Sequence, residues 1–299
     1  MKIVAILGPT ASGKSDLSIR LASRHNAVIL SLDSLSLYRK IDIASAKPSA
    51  EERGGVVHFG IDTISVDEHF SVSLFAELFK EAREYAEKRE KDLIIVGGTG
   101  FYLKILMEGL SPLPPLTEEM RERLAYDMRD PERAYKTLLD IDRRYAESIS
   151  SSDRYRIEKG LQVYFASGMR PTDYFLSNPP KPLLKNLHLY EIAVDREVLG
   201  ERIAARTEKM FKAGLVDEVA ELEYLYTRAP NPMKAIGIKE ILDYFDAKVT
   251  LREAKERIVI HTRQLAKRQQ TFNRTQFPPH PLLQADRLET EISSLLLQR

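Results

Sequence analysis

The stretch that most constrains the fold of this chain is the octapeptide GPTASGKS, residues 8–15. It fits the pattern G-x-x-x-x-G-K-[ST] in full, follows the apolar run IVAIL and precedes the helix-like stretch SDLSIRLA. Glycines let backbone N–H groups converge on phosphate oxygens, and the following helix N-terminus adds a favourable dipole. The sequence therefore predicts a strand, a phosphate-binding loop and a helix. The predicted phosphate-binding residues are Gly8, Pro9, Thr10, Ala11, Ser12, Gly13, Lys14 and Ser15.

Two side chains of this loop have defined chemistry. Lys14 supplies a positive charge, and Ser15 offers a hydroxyl to Mg²⁺, the predicted cofactor. The motif is shared with ATP-binding and other nucleotide-binding proteins. It therefore predicts a phosphate or diphosphate site and leaves the reaction open.

The first third of the chain alternates strand and helix patterns. Val28–Leu32 and Leu93–Val96 are short apolar runs, and Val72 to Lys88 has the spacing of an amphipathic helix. Strands that alternate with helices favour a parallel sheet with right-handed crossovers. The stretch 187–194 alternates like a further strand, and a long helix is expected around Leu251–Arg268.

Two proline clusters, at 111–116 and 178–186, bracket a segment with helical patterning. In that segment Asp130 and Pro131 predict a helix start, and Gly168 predicts a helix end. The expected class is α/β: a P-loop NTPase-like core with a parallel sheet flanked by helices, plus an all-helical insertion domain. The core would comprise residues 1–112 and 183–299, and the insertion residues 113–182.

Composition excludes some classes of function. The net charge is +1, so an acidic partner must be met by a local patch, and the absence of cysteine excludes disulfides and thiolate metal sites. No stretch approaches the ~20 apolar residues of a membrane span. We therefore expect a cytoplasmic protein without membrane partners.

Polar residues follow the second and third predicted strands. Asp33 would lie at the carboxyl edge of the sheet, near the phosphates, where it could bind Mg²⁺ or accept a proton from a nucleophile. Alternatively, it caps its own turn. Thr99 follows Gly97 and Gly98, where it could donate to a ligand or simply belong to a turn. Arg206 could reach a phosphate, although its spacing alone favours an ordinary surface position near Glu208.

The stretch HTRQLAKRQQTFNR, 261–274, is basic and rich in amides. Arg263 and Lys267 fall near one helix face with Arg274, and Arg268 adds a further cation without an acid among them. Such a surface suits an RNA backbone, but a solvated helix face is the more common outcome. The stretch DRYRIEKG of the insertion, 153–160, repeats the pattern more weakly.

Taken together, these stretches resemble the tRNA dimethylallyltransferase family. The matching blocks run in family order from 8 to 274: GPTASGKS, DSLSLYRKIDIASAKPS, GGTGFYLKIL, DRYRIEKGLQVYFASG, RIAARTEKMFKAGLVDEV, KAIGIKEIL and TRQLAKRQQTFNR. The family transfers a dimethylallyl group from dimethylallyl diphosphate to the exocyclic amine of the adenosine just 3′ of the anticodon.

The resemblance implies roles for particular residues. The loop would hold the diphosphate of the prenyl donor, Asp33 would be the general base, Thr99 would lie near the reacting centre, and Arg206 would neutralise the departing diphosphate. It also implies tRNA binding, as a monomer, through the anticodon stem-loop. The implied tRNA-binding residues are Asp33, Ser34, Leu35, Ser36, Arg156, Lys159, Arg263, Lys267 and Arg268.

Two other functions remain open from the residues alone. In a small-molecule kinase of the P-loop class, an acidic residue after the second strand can activate an acceptor hydroxyl. A non-catalytic, nucleotide-dependent RNA-binding protein would bind tRNA without turnover.

Overall fold

The computed structural model describes residues 1–298, which form two compact units. The first unit combines residues 1–107 with 184–298; the second, Glu108–Leu183, is called the insertion unit below. The predicted boundary at 112/113 lies five residues after the observed one, since residues 108–112 belong to the insertion unit. Within that unit, the Tyr174 hydroxyl donates to the Pro112 carbonyl oxygen (3.1 Å). In the first unit, the Leu184 N–H donates to the Leu106 carbonyl oxygen (2.9 Å), next to the two points where the insertion begins and ends.

The strands lie in the first unit. They are β1 (Ile3–Leu7), β2 (Ala27–Ser31), β3 (His58–Phe59), β4 (Asp92–Gly97), β5 (His188–Ile192) and β6 (Leu282–Leu283). They form one parallel sheet in the order β3-β2-β4-β1-β5-β6, so β5 rejoins the sheet beside β1 as the sequence predicts. The second strand lies one residue before its predicted position, although the Leu32 N–H still donates to Val96 of β4 (2.7 Å).

The helices of both units are numbered together. They are α1 (Lys14–Arg24), α2 (Val72–Lys88), α3 (Gly100–Glu108), α4 (Glu118–Asp127), α5 (Pro131–Ile141), α6 (Arg143–Glu147), α7 (Arg154–Ser167), α8 (Pro171–Ser177), α9 (Arg196–Lys212), α10 (Leu215–Tyr226), α11 (Ile238–Phe245), α12 (Leu251–Gln276) and α13 (Ala285–Leu297), with a 3₁₀ turn at Asn231–Lys234.

The core of the first unit lies on the faces of the sheet. Val4 and Ile6 of β1 pack with Leu17 and Leu21 of α1 and with Ile292 of α13, all of them buried. Helix α2, confirmed over its predicted range, packs against β2 and β4 and buries its apolar stripe. Burial of each large apolar side chain contributes about 1.5–3 kcal/mol, so these layers fix the strand ends that carry the site.

Helix termini in the insertion unit follow the sequence signals. The Asp130 carboxylate caps α5 by accepting from the Arg133 N–H (3.1 Å), with Pro131 at the first helical position. Gly168 ends α7 in the left-handed region, with φ of 69°. The core of the unit is formed by Leu124, Met128, Ala134, Leu138, Ala146, Ile157 and Leu161.

The long helix α12 differs from its prediction at one end. It begins at Leu251 as expected but continues past Arg268 to Gln276. No residue between 268 and 276 breaks a helix. The helix ends before Phe277, which is followed by Pro278 and Pro279. A helix of this length spans about 39 Å at ~1.5 Å per residue, so it can carry contacts to several parts of the first unit. Over residues 1–298, none of the helices is long and apolar enough to cross a membrane.

Candidate active site

The phosphate-binding loop joins β1 to α1 at the carboxyl edge of the sheet. Its backbone turns back on itself, with the Ser12 N–H donating to the Pro9 carbonyl oxygen (3.2 Å) and Gly13 at φ of 88° before the first turn of α1. An L side chain rarely adopts this backbone conformation, so a glycine suits position 13. The loop thus has the geometry that the octapeptide predicts.

A cleft of about 530 Å³, its open mouth included, lies beside the loop, and we call it the phosphate cleft. Its lining residues are far apart in the sequence. They come from the carboxyl ends of the strands, from the segments that follow them, and from α9. The polar residues that line it are Thr10, Lys14, Ser15, Ser18, Ser31, Asp33, Ser36, Ser45, Lys47, His58 and Arg206.

Lys14 extends over the loop, where its ammonium donates to the Pro9 carbonyl oxygen (3.1 Å). The pKa of Lys14 is lowered to about 8, chiefly by burial; the nearby Asp33 charge raises it, and the Arg206 charge lowers it. Desolvation disfavours the charged form of the Lys14 ammonium. An anion that enters the phosphate cleft would have the opposite effect and favour the charged form.

Asp33 caps its own turn, and its role toward a ligand stays a prediction. Its Oδ1 accepts from the backbone N–H groups of Leu35 (2.9 Å) and Ser36 (3.4 Å), which caps the turn after β2. Its Oδ2 makes no hydrogen bond within residues 1–298, and the side chain lines the phosphate cleft. One carboxylate oxygen is therefore fixed while the other remains available to a ligand.

Arg206 reaches the loop from α9. Its Nη1 donates to Oγ1 of Thr10 (3.0 Å), and its Nη2 donates to the Ser45 carbonyl oxygen (3.2 Å). Burial lowers its pKa, and the Asp33 charge partly offsets this shift. The surface position favoured by spacing alone is therefore wrong, because the Arg206 side chain is buried against Thr10 and Ser45. Glu208 pairs with Lys255 of α12.

Other residues that shape the phosphate cleft were missed by the sequence analysis. The Lys47 side chain is only 5% exposed and pairs with Asp42 (2.6 Å) and Asp62 (2.5 Å). Glu218 of α10 accepts from three consecutive backbone N–H groups, those of Asp42, Ile43 and Ala44. Together these contacts hold the segment that presents Ser45 to Arg206. Their only sequence signal was their place inside the family-like blocks.

Thr99 does not line the phosphate cleft. It follows β4, its carbonyl oxygen accepts from the Tyr102 N–H (3.2 Å), and its hydroxyl forms no hydrogen bond within the described part of the chain. Gly97, two residues earlier, does line the phosphate cleft. The contact predicted for Thr99 with the reacting group stays a prediction.

Helix α12 presents cations on its exposed sides. Arg263 donates to the Gly200 carbonyl oxygen (3.3 Å), whereas Lys267 and Arg268 are exposed and form no ion pair within residues 1–298. Lys267 and Arg274 line a second cavity, in which Glu191 of β5 is a neighbour. The basic face predicted from the sequence is thus present, and its binding to RNA stays a prediction.

The other predicted tRNA-binding residues are placed differently. Ser34 and Leu35 lie partly buried in the turn that Asp33 caps. In the insertion unit Arg156 pairs with Asp153 (3.3 Å), and Lys159 pairs with Glu158 (3.1 Å). Their tRNA contacts also stay predictions.

Comparison with known proteins places the chain in a family. The model of the IPP transferase family matches residues 36–276. A tRNA dimethylallyltransferase of Sulfurimonas denitrificans is 48% identical over 99% of this chain and 100% of its own length. One from Nautilia profundicola is 53% identical over 91% of this chain and 92% of its own length.

Solved structures give the same relationship. A tRNA delta(2)-isopentenylpyrophosphate transferase of Staphylococcus epidermidis has a TM-score of 0.70 and 27% identity, over 99% of each chain. A eukaryotic dimethylallyltransferase acting on tRNA has a TM-score of 0.81 and 29% identity, over 91% of this chain and 70% of that protein. The expected fold class is confirmed by these structures. The chain therefore belongs to the IPP transferase family, together with the tRNA dimethylallyltransferases to which it is similar.

Proposed function

We propose that this enzyme transfers a dimethylallyl group from dimethylallyl diphosphate to the exocyclic amine of the adenosine 3′-adjacent to the anticodon of tRNA, giving N6-(dimethylallyl)adenosine. The observation that carries the proposal is the meeting of Asp33 and Arg206 in one cleft beside Thr10 and Lys14. An anion-binding loop, a free carboxylate oxygen and an enclosed guanidinium are the groups that alkylation by a diphosphate ester requires.

The donor would bind through its diphosphate. The Gly8–Ser15 loop offers backbone N–H groups and the N-terminus of α1, and Lys14 and Arg206 add positive charge. Because both cations are held by neutral oxygen atoms, their charge is not cancelled by a carboxylate bonded to them. They would stabilise the negative charge that develops on the leaving diphosphate.

The transfer is a substitution at carbon. The adenine N6 forms a bond to C1 of the dimethylallyl group while the C1–O bond breaks, and the electron pair of that bond leaves with the diphosphate. An aromatic exocyclic amine is a weak nucleophile, so Asp33, through its free Oδ2, would accept the N6 proton. The target base must leave the anticodon-loop stack to reach this carboxylate.

Mg²⁺ fits the donor set of the phosphate cleft. The exposed Ser15 hydroxyl and the Asp33 carboxylate both line it, and no group of three His, Asp or Glu within residues 1–298 forms a dedicated metal cage. Mg²⁺ is usually bound by one or two protein oxygens together with substrate phosphates and water. Ser15 would hold the ion, and when bound it would neutralise charge on the diphosphate.

The tRNA would bind along the exposed cations of α12 and the insertion unit, with Thr99 near the reacting group. We expect a monomer that acts in the cytoplasm on the anticodon stem-loop.

Two labelled substrates test the proposal. The purified chain is incubated with Mg²⁺ and tRNA, once with labelled dimethylallyl diphosphate and once with labelled ATP. We expect prenyl label in tRNA, and nucleoside mass spectrometry should show N6-(dimethylallyl)adenosine. Transfer of phosphate from ATP without prenyl transfer would favour a kinase, and tRNA binding without either reaction would favour a non-catalytic RNA-binding protein.

A further inference from the structure

We propose that Gln269 of α12 is a positioning residue that fixes Thr10 of the phosphate-binding loop, and through Thr10 the guanidinium of Arg206. The inference rests on the proposed function of the phosphate cleft. It assigns a role to a side chain that lies 259 positions from the loop residue it contacts.

The amide of Gln269 lies between two backbone segments. Its Oε1 accepts from the Thr10 N–H (2.8 Å), which anchors the loop from above the sheet edge. On its other side the amide lies against Gly98, where an added Cβ would be 2.2 Å from Nε2 and 2.8 Å from Cδ. The absence of a side chain at position 98 therefore lets the glutamine approach the loop.

Thr10 makes one hydrogen bond through its backbone and one through its side chain. Its N–H donates to Gln269, and its Oγ1 accepts from Nη1 of Arg206 (3.0 Å). The two contacts come from α12 and α9, and they fix the threonine at both its backbone and its side chain. If the Gln269 contact is lost, the backbone position of Thr10 is less well fixed, and the Oγ1 that it presents to Arg206 moves with it, which leaves the Ser45 carbonyl oxygen as the better-fixed partner of Arg206.

The neighbours of Gln269 on α12 strengthen this assignment. Ala266 and Asn273, three residues before and four after, are buried, so the same side of the helix packs on the first unit. Asn273 also donates to Oε1 of Glu191 in β5 (2.8 Å). The helix is thus held on both sides of Gln269, and the amide is presented at a fixed distance from the loop.

The first test replaces Gln269 with methionine, which keeps the length of the side chain and removes the acceptor. Isothermal calorimetry measures binding of inorganic diphosphate with Mg²⁺, and steady-state assays measure both substrates. Loss of one hydrogen bond that orders the site should raise the Kd for diphosphate and the KM for the prenyl donor by about tenfold, with the KM for tRNA unchanged. The matched control is Gln284→Met, because Gln284 is an exposed glutamine whose side chain caps nothing.

The second test uses the close approach at Gly98. Gly98→Ala should displace the Gln269 amide and weaken diphosphate binding about as much as Gln269→Ala does. In the Gln269→Ala background the added methyl has room, so the double variant should bind no more weakly than Gln269→Ala alone. Such non-additivity is the mark of one shared contact.

Several results would overturn the inference. They are an unchanged diphosphate Kd in Gln269→Met, an equal rise in the KM for tRNA, or additive losses in the double variant. Thermal unfolding of each variant verifies that it is folded. Wild-type transfer to tRNA is measured in parallel: its absence would contradict the proposed function, while the diphosphate titrations would still decide the role of Gln269.

Discussion

Lys14 and Arg206 of the phosphate cleft are held differently from Arg156 and Lys159 of the insertion unit; Lys47, which also lines the cleft, pairs with Asp42 and Asp62. In the cleft, Lys14 and Arg206 donate to carbonyl and hydroxyl oxygens, which are neutral. In the insertion unit, Arg156 and Lys159 pair with carboxylates. Neutral partners orient a cation and leave its charge for a ligand, whereas a carboxylate partner largely cancels that charge.

The comparison teaches where large effects are to be expected. Charges in an enclosed cleft act at low dielectric and are weakly screened by salt, whereas exposed ion pairs typically contribute ~0–1 kcal/mol. Changes in the cleft should therefore alter the chemical step by orders of magnitude. Changes in the insertion unit should alter tRNA binding by small, salt-dependent factors.

Asp33→Asn should have the largest effect. An amide cannot accept the N6 proton, so kcat should fall by roughly 10²–10⁴-fold. The asparagine Oδ1 can still accept from the Leu35 and Ser36 N–H groups, so the turn should persist. Single-turnover prenyl transfer measures the effect, and an enzyme that remains fully active would remove Asp33 from the mechanism.

Arg206→Ala should come next. Loss of a preorganised donor to a developing anion typically lowers kcat by ~10²–10³-fold, and diphosphate release assays measure it. Arg202→Ala is the internal comparison, since Arg202 lies one turn earlier, is exposed, and within residues 1–298 donates only to the Ser12 carbonyl oxygen (3.2 Å). Equal losses in the two variants would contradict a specific role for Arg206.

Thr99→Val tests the one predicted catalytic residue that does not line the phosphate cleft. Removal of a hydroxyl that meets the reacting group should lower kcat by up to about tenfold, since one neutral hydrogen bond is involved. Thr99→Ser, which keeps the hydroxyl, should restore the rate. Identical kinetics for both variants and the wild type would assign Thr99 to the turn after β4 alone.

The Lys267→Ala, Arg268→Ala double variant extends the comparison to two exposed cations that have no carboxylate partner among the described residues, 1–298. If both contact phosphates, the slope of log K for tRNA against log salt should become shallower by roughly one to two. Filter binding from low to moderate salt measures this slope. An unchanged slope would mean that these side chains face solvent in the complex.

Arg156→Ala should have the smallest effect, below about threefold on the KM for tRNA, because Asp153 already offsets the charge. Asp153→Asn sharpens the comparison, since the amide oxygen can still cap α7 by accepting from the Arg156 N–H. Releasing the guanidinium should then lower the KM slightly. A higher KM in Asp153→Asn would contradict the idea that the carboxylate masks a tRNA-binding cation.

Local signals in the sequence were sufficient for much of the fold. The loop of residues 8–15, the range of α2 and the caps at Asp130 and Gly168 depend on short-range spacing, and the structure confirms each of them. The ends of β2, β4 and β5 differ from their predictions by one or two residues, because backbone pairing between neighbouring strands sets them.

The candidate site depended on long-range contacts that periodicity does not contain. Spacing placed Arg206 on the surface, whereas burial against Thr10 and Ser45 defines its environment. Gln269 and Glu218 lie inside family-like blocks, but no local pattern assigns their partners, because these are backbone N–H groups far along the chain. Family resemblance found Asp33 and Arg206, but it did not distinguish a cation held by carbonyl oxygens from one neutralised by a carboxylate.

The hydrogen bond between Leu106 and Leu184 has an evolutionary consequence. The chain leaves the sheet-containing unit after Met107 and returns at Leu184, and the Leu184–Leu106 hydrogen bond holds these two points together. Loop-closure entropy grows only slowly with the length of such an excursion. Segments of many sizes can therefore be accommodated there without altering the register of the sheet.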